Sequence, residues 1–190
     1  IYVPERAFVV ERFLEDVKRV YDRIGRCLVA VSEGIADGQG TAIAAKFTKE
    51  TDSHGNVQLS GSGALGDLLA DLVKKQTSIS RVRADTFGYL QRSFAGVVSP
   101  TDAKEARAVG ALAVRHAVAS PAGGGSIAIR RKPGRKYEVY FERVPLQNVA
   151  RETRHMPDEF IAKDGNDVTE AFLAYARPLA GPLPEIGRFK

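Results

Sequence analysis

The 190 residues carry 28 Lys and Arg against 23 Asp and Glu, a net charge of +5, with 44% hydrophobic residues. This is a globular composition, long enough for one substantial core or for one domain plus an appendage. No apolar run nears the roughly 18 residues of a membrane span, the opening Ile1–Glu5 lacks the basic start of a secretory signal, and the lone Cys27 excludes an internal disulfide framework. A reducing, cytoplasmic compartment is therefore expected. The basic balance suits nucleic acid, an anionic surface or a phosphorylated metabolite, and does not choose among them.

In chain order, Phe13, Leu14, Val17, Val20, Tyr21 and Ile24 recur at helical spacing, and Gly25 follows as a C-terminal cap. Cys27–Val31 is apolar at every position, which reads as a strand covered on both faces, as in parallel sheets flanked by helices. Glu33 then lies just beyond the carboxyl end of that strand, where open α/β sheets place their ligands. Residues 36–60 are polar and glycine-rich and read as a loop. Leu65 to Lys75 predicts a short helix carrying Leu68, Leu69, Leu72 and Val73. Ile79 to Phe87 predicts a strand with Arg81, Arg83, Asp85 and Phe87 on one face, opposite Val82, Ala84 and Thr86.

Thr101 or Asp102 can cap a long alanine-rich helix running to about Ala119. Ser126–Arg131 and Tyr137–Arg143 predict a hairpin around Lys132-Pro133-Gly134-Arg135. Pro145 opens another short helix, and Val168 to Ala176 forms a last one. The division expected is an α/β portion over residues 1–100, then a long helix, hairpin and helical segment over 101–190.

Several motifs carry bland readings. Gly61-Ser62-Gly63-Ala64-Leu65-Gly66 has dinucleotide-binding spacing, but the polar stretch before it is a poor central strand, so a glycine-rich turn into a helix fits better. His54, His116 and His155 stand far apart, and none has a metal-ligand spacing. His116 shares a helix face with Val109, Leu112 and Ala113, which favours a structural role. Cys27 reads as a small core residue. The cations of Arg130–Lys136 read as a solvated hairpin tip, lacking the interleaved aromatics of a nucleic-acid surface. Arg83, Tyr89 and Arg92 suit an anionic ligand, Tyr89 and Arg92 sharing a face if the segment turns helically. By residue type alone, a surface ion-pair cluster with Asp85 fits them better than a phosphate site.

Pro4-Glu5 before a helix, Gly25-Arg26-Cys27-Leu28-Val29-Ala30-Val31-Ser32-Glu33-Gly34, and Arg83-Ala84-Asp85-Thr86-Phe87-Gly88-Tyr89-Leu90-Gln91-Arg92 together resemble the C-terminal half of the 6-phosphofructokinases. The similarity continues through Val144-Pro145-Leu146, Met156-Pro157-Asp158 and Leu183-Pro184-Glu185. Tyrosine at position 89, where ATP-dependent bacterial members often carry histidine, looks more like the pyrophosphate-dependent branch. The fold implied is α/β: half of a two-domain phosphofructokinase, a parallel sheet flanked by helices, with an appended β-hairpin and C-terminal helices.

By that resemblance Glu33 would accept hydrogen bonds from the hydroxyls of fructose 6-phosphate, and Tyr89 and Arg92 would hold its 6-phosphate. Arg83 would reach into a neighbouring subunit's site, implying a homo-oligomer, a dimer or tetramer. The family's Gly-Gly-Asp-Gly/Asp-Ser donor loop, its Thr-Ile-Asp-Asn-Asp base segment and its Met-Gly-Arg stretch are implied to lie upstream of this chain. So are the magnesium ligands and the site for pyrophosphate or ATP. The expectation is an acceptor-binding piece without catalytic or metal residues of its own, inactive alone. Two alternatives stay open: a stand-alone sugar-phosphate-binding or regulatory module, and nucleic-acid binding through the basic hairpin.

Overall fold

The apolar stripe of the first predicted helix folds as its spacing requires: α1 spans Val10–Ile24 and buries Phe13 and Val17. Gly25 ends it in the left-handed region at φ 71°, its N–H donating to the Tyr21 carbonyl. In this computed structural model the described residues are 1–46, 64–87, 96–119, 124–134, 136–149, 154–183, 185 and 187. They belong to two compact units, Ile1–Ser93 with Met156–Thr169, and Phe94–His155 with Glu170–Lys190. This grouping differs from a cut at residue 100, because 156–169 returns to the first unit.

The first unit holds the main core. Helix α2, Ala64–Gln76, sets Leu65, Leu69 and Val73 at successive i, i+4 positions against Phe13, Val17 and the fully buried Ile35. Gly66 of α2 lets Ala84 approach: a Cβ added at Gly66 would lie 3.1 Å from the Ala84 Cβ. That contact and the partly buried Val82 hold the 79–87 run against the helix, leaving Arg81, Arg83, Asp85 and Phe87 exposed. The predicted alternation is not reproduced: Ile79 is buried and Val82 partly buried, Ala84 and Thr86 of the expected inner face are exposed, and residues 79–87 are not paired into a strand.

Of the parallel sheet, the described residues contain the bridge between Tyr2 and Val31. Cys27, Val29 and Val31 pack on the core, while Leu28 is 97% exposed. The expectation of a strand covered on both faces thus holds for one face, since no described residue shields Leu28. Residues 36–46 are more ordered than a plain loop: Ala36 bridges Ala42, and Asp37 accepts from the Gln39 and Thr41 N–H groups. Residues 47–60 of the expected loop lie outside the described residues.

The second unit has a thin core, Val144 being its one buried hydrophobic among the described residues. Helix α3 spans Pro100–Ala119. Its cap is Ser99 rather than Thr101 or Asp102: the Ser99 Oγ accepts from the Asp102 N–H at 3.1 Å, and Pro100 takes the first helical position, where its missing N–H costs nothing. The hairpin forms as β1 Ser126–Arg131 against β2 Val139–Val144, antiparallel, Ile129 opposite Phe141. A 3-10 turn at Leu146–Asn148 follows Pro145 as expected. Another at Asp158–Phe160, in the first unit, had no signal in the pattern.

The last helix, α4, spans Glu170–Ala180 and runs through Pro178. Proline offers no N–H to the Ala174 carbonyl. Arg131 supplies one instead, donating to the Ala174 oxygen at 3.5 Å and to the Tyr175 oxygen at 3.1 Å, its guanidinium lying 5.1 and 5.4 Å from the Tyr137 and Tyr175 rings. At the end of α4 the Thr101 hydroxyl donates to the Pro178 carbonyl and the Ser99 hydroxyl to that of Leu179.

Beneath the hairpin, the Tyr137 hydroxyl donates to Oε1 of the buried Glu105 at 2.7 Å. Partial burial and that bond push the phenol up to about 12. A pKa raised on folding contributes stability that is complete below the unfolded value near 10 and is lost as pH rises through the folded one. Between pH 10 and 12 the wild type should therefore lose more stability than Tyr137→Phe, which has no such proton. Denaturant midpoints measured in parallel across that window check this, and parallel loss in both proteins would contradict it.

Candidate functional site

Residues 2–8 run beside residues 30–36 and bracket Glu33. The Tyr2 N–H donates to the Ala30 carbonyl at 2.9 Å, and the Tyr2 carbonyl accepts from the Ser32 N–H at 3.0 Å. Past the turn, the Phe8 N–H donates to the Ala36 carbonyl at 2.7 Å. Gly34 sits against Pro4, where an added Cβ would meet the proline ring at 3.7 Å, and its N–H donates to the Ser32 Oγ at 3.3 Å. Ile35 is fully buried and pins the far side. Glu33 is left exposed on a short turn fixed at both ends, at the carboxyl end of the 27–31 run, as the pattern predicted.

Arg83 is exposed on the 79–87 run of the same unit. Tyr89 and Arg92 lie outside the described residues, as do Gly61 and Gly63 of the glycine-rich motif. The two cavities of about 230 and 390 Å³ in this unit share Tyr2 and Asp16 in their walls, and neither is lined by Glu33 or Arg83.

The spacing does not announce the polar group behind this turn. The Tyr2 hydroxyl donates to Asp16 Oδ2 at 2.9 Å, and the Asn166 amide donates to the same oxygen at 2.7 Å. Arg19 pairs with Oδ1. The signal was available: Asp16 stands three residues after Phe13 and beside Val17, a carboxylate within a core stripe.

Other candidates take their bland readings. Arg130 pairs with Glu142 at 2.8 Å, and Lys132 and Lys136 both lie near Glu138, at 3.6 and 3.5 Å, so these three cations of the hairpin are matched locally. Cys27 is half-buried, and burial pushes its thiol up, away from the thiolate a nucleophile needs. His116 is exposed on α3 rather than packed. Among the described residues no group of three or more His, Cys, Asp or Glu could hold a metal ion, and no helix is long and apolar enough to cross a membrane.

No family model matches the chain. A pyrophosphate–fructose 6-phosphate 1-phosphotransferase of Rhodospirillum rubrum is 56% identical over 100% of this chain and 47% of its own length. One of Xanthomonas campestris pv. campestris is 37% identical over 94% and 41%. A protein of Alkalicoccus urumqiensis named sulfofructose kinase is 32% identical over 85% and 40%. Among solved structures, a pyrophosphate-dependent phosphofructokinase of Nitrosospira multiformis superposes with a TM-score of 0.75 at 25% identity, over 100% of this chain and 42% of its own. The chain thus spans rather less than half the length of the relatives it matches.

Proposed function

Along its whole length the chain belongs to the 6-phosphofructokinase family, and from that membership we propose that it supplies the fructose 6-phosphate half of a pyrophosphate-dependent phosphofructokinase. The observation that carries this is the 56% identity, over all of this chain, to a protein named for that reaction. Glu33 accepts hydrogen bonds from the sugar hydroxyls, a task suited to an exposed carboxylate on a turn fixed at both ends. Tyr89 and Arg92 grip the 6-phosphate, a guanidinium being shaped for two parallel bonds to it. Arg83 serves the site of a neighbouring subunit in a homo-oligomer. The division of labour follows continuous sequence, acceptor-binding residues falling in 1–100.

Phosphoryl transfer depends on positioning and on stabilising charge at the transferring group. Magnesium would supply part of that stabilisation. By the likeness to the family's C-terminal half, the magnesium ligands, the base and the pyrophosphate site are proposed to come from the other half of the protein, with the 190-residue chain inactive alone. A cytoplasmic location goes with this proposal.

In the full-length protein Arg92→Ala should raise the KM for fructose 6-phosphate about ten- to a hundred-fold, the worth of a hydrogen bond to a charged group, with the KM for pyrophosphate nearly unchanged. Arg130→Ala, whose residue is committed to Glu142, is the control. An unchanged sugar-phosphate KM in Arg92→Ala would remove the assignment. Sulfofructose, named for the Alkalicoccus urumqiensis relative, is the competing acceptor, and a higher kcat/KM for it would change the substrate. A native gene product no longer than this chain would favour a stand-alone sugar-phosphate-binding module.

A further inference from the structure

We propose that Tyr2 is a positioning residue for Glu33, and that its hydroxyl, held by Asp16, sets the place from which Glu33 meets the sugar. This rests on the assignment of Glu33 to fructose 6-phosphate. Among the described residues Tyr2 alone bonds through its backbone on both sides of Val31, and one of those bonds holds Ser32, the residue immediately before Glu33. Any shift of Tyr2 along or away from the 30–32 run is therefore passed to Glu33 through a single peptide.

Three contacts decide where Tyr2 sits. Its ring meets Phe8 and Phe13 edge-on, at centroid distances of 5.3 and 5.6 Å, and its hydroxyl donates to Asp16 Oδ2 at 2.9 Å. The edge-to-face rings define its depth and tilt but leave it some freedom to slide, since such pairs tolerate a range of centroid distances. The hydroxyl bond removes that freedom. Asp16 is itself fixed by α1, by Asn166 at 2.7 Å and by Arg19, so the anchor does not move with the load. Burial and the Asp16 bond hold the Tyr2 phenol well above its ordinary pKa, which keeps it a donor at any working pH.

The test uses the full-length protein. Tyr2→Phe keeps the ring and the backbone bonds and deletes only the anchor. The KM for fructose 6-phosphate should rise about tenfold, the scale of one hydrogen bond, while kcat and the KM for pyrophosphate stay within about twofold. Asp16→Ala should reproduce the effect, whereas Asp16→Asn, which keeps an oxygen for the hydroxyl, should restore near wild-type KM. Added to Glu33→Gln, Tyr2→Phe should change the sugar-phosphate KM little further, because both act through one carboxylate.

A purely structural role would move the thermal midpoint and both KM values together, and would add fully to Glu33→Gln. That result overturns the proposal. So does an unchanged sugar-phosphate KM in Tyr2→Phe. If Glu33→Gln itself leaves that KM unchanged, the assignment of Glu33 fails instead, and the two failures are told apart.

Discussion

Oligomers reassembled from equal amounts of Glu33→Ala and Arg83→Ala full-length subunits should recover roughly a quarter of wild-type activity, although each variant alone is nearly inactive. Both residues are exposed, on separate segments of the first unit. The 79–87 run leaves Arg81, Arg83 and Asp85 exposed, a polarity no buried sheet would tolerate. If a site combines Glu33 of one subunit with Arg83 of its neighbour, random pairing makes about half the dimers mixed, and each mixed dimer has one complete site of two. The expected recovery follows from that symmetry. Native mass measurement establishes that mixed oligomers are present, and activity is then read on them. Mixed oligomers without recovery would return Arg83 to its own subunit's site.

The largest effect on stability should come from Phe13→Ala, which is expected to cost about 3–5 kcal/mol in the 190-residue chain. Phe13 is 2% exposed, forms a triangle with the Tyr2 and Phe8 rings at 5.6 and 5.5 Å, and packs in the same core as the α2 side chains. Its removal leaves a void that neighbours on three segments would have to collapse together to fill. Leu28→Ala makes the comparison sharp: an equally apolar residue at 97% exposure should change the urea midpoint of this chain hardly at all. Circular dichroism across a urea titration reads both. A Phe13→Ala midpoint within error of the wild type would mean that the first unit is not organised around this cluster.

Helices with a clear apolar stripe were legible in the sequence because their own spacing determines which face is buried. The run from Phe13 to Ile24 with Gly25 gives α1 and its C-terminal end, though not its start at Val10, and Leu68, Leu69, Leu72 and Val73 give α2. Strands were less legible, since a strand is completed by partners its own residues do not specify. Cys27–Val31 pairs only through Val31 among the described residues, and 79–87 pairs with nothing described, its expected inner residues Ala84 and Thr86 being as exposed as the outer ones. The cap of α3 was misplaced because Ser99, Thr101 and Asp102 all suit the role, and the competition is settled by Pro100 and by the pull of Pro178 on the Thr101 hydroxyl. At the candidate site, the position of Glu33 followed from the apolar run before it. The Tyr2–Asp16–Asn166 network did not, because it joins residues 150 positions apart in sequence.

The end of α4 bears on the order in which the chain folds. An 11-residue helix containing a proline is marginal by itself. Its closing carbonyls are met by hydroxyls 80 and 77 residues earlier, and the carbonyl orphaned by Pro178 is met by a guanidinium on β1. None of those donors is local, so loop closure over the intervening chain must come first. Helix α4 is thus expected to be the last element of its unit to be completed, assembling onto α3 and the hairpin rather than nucleating beside them.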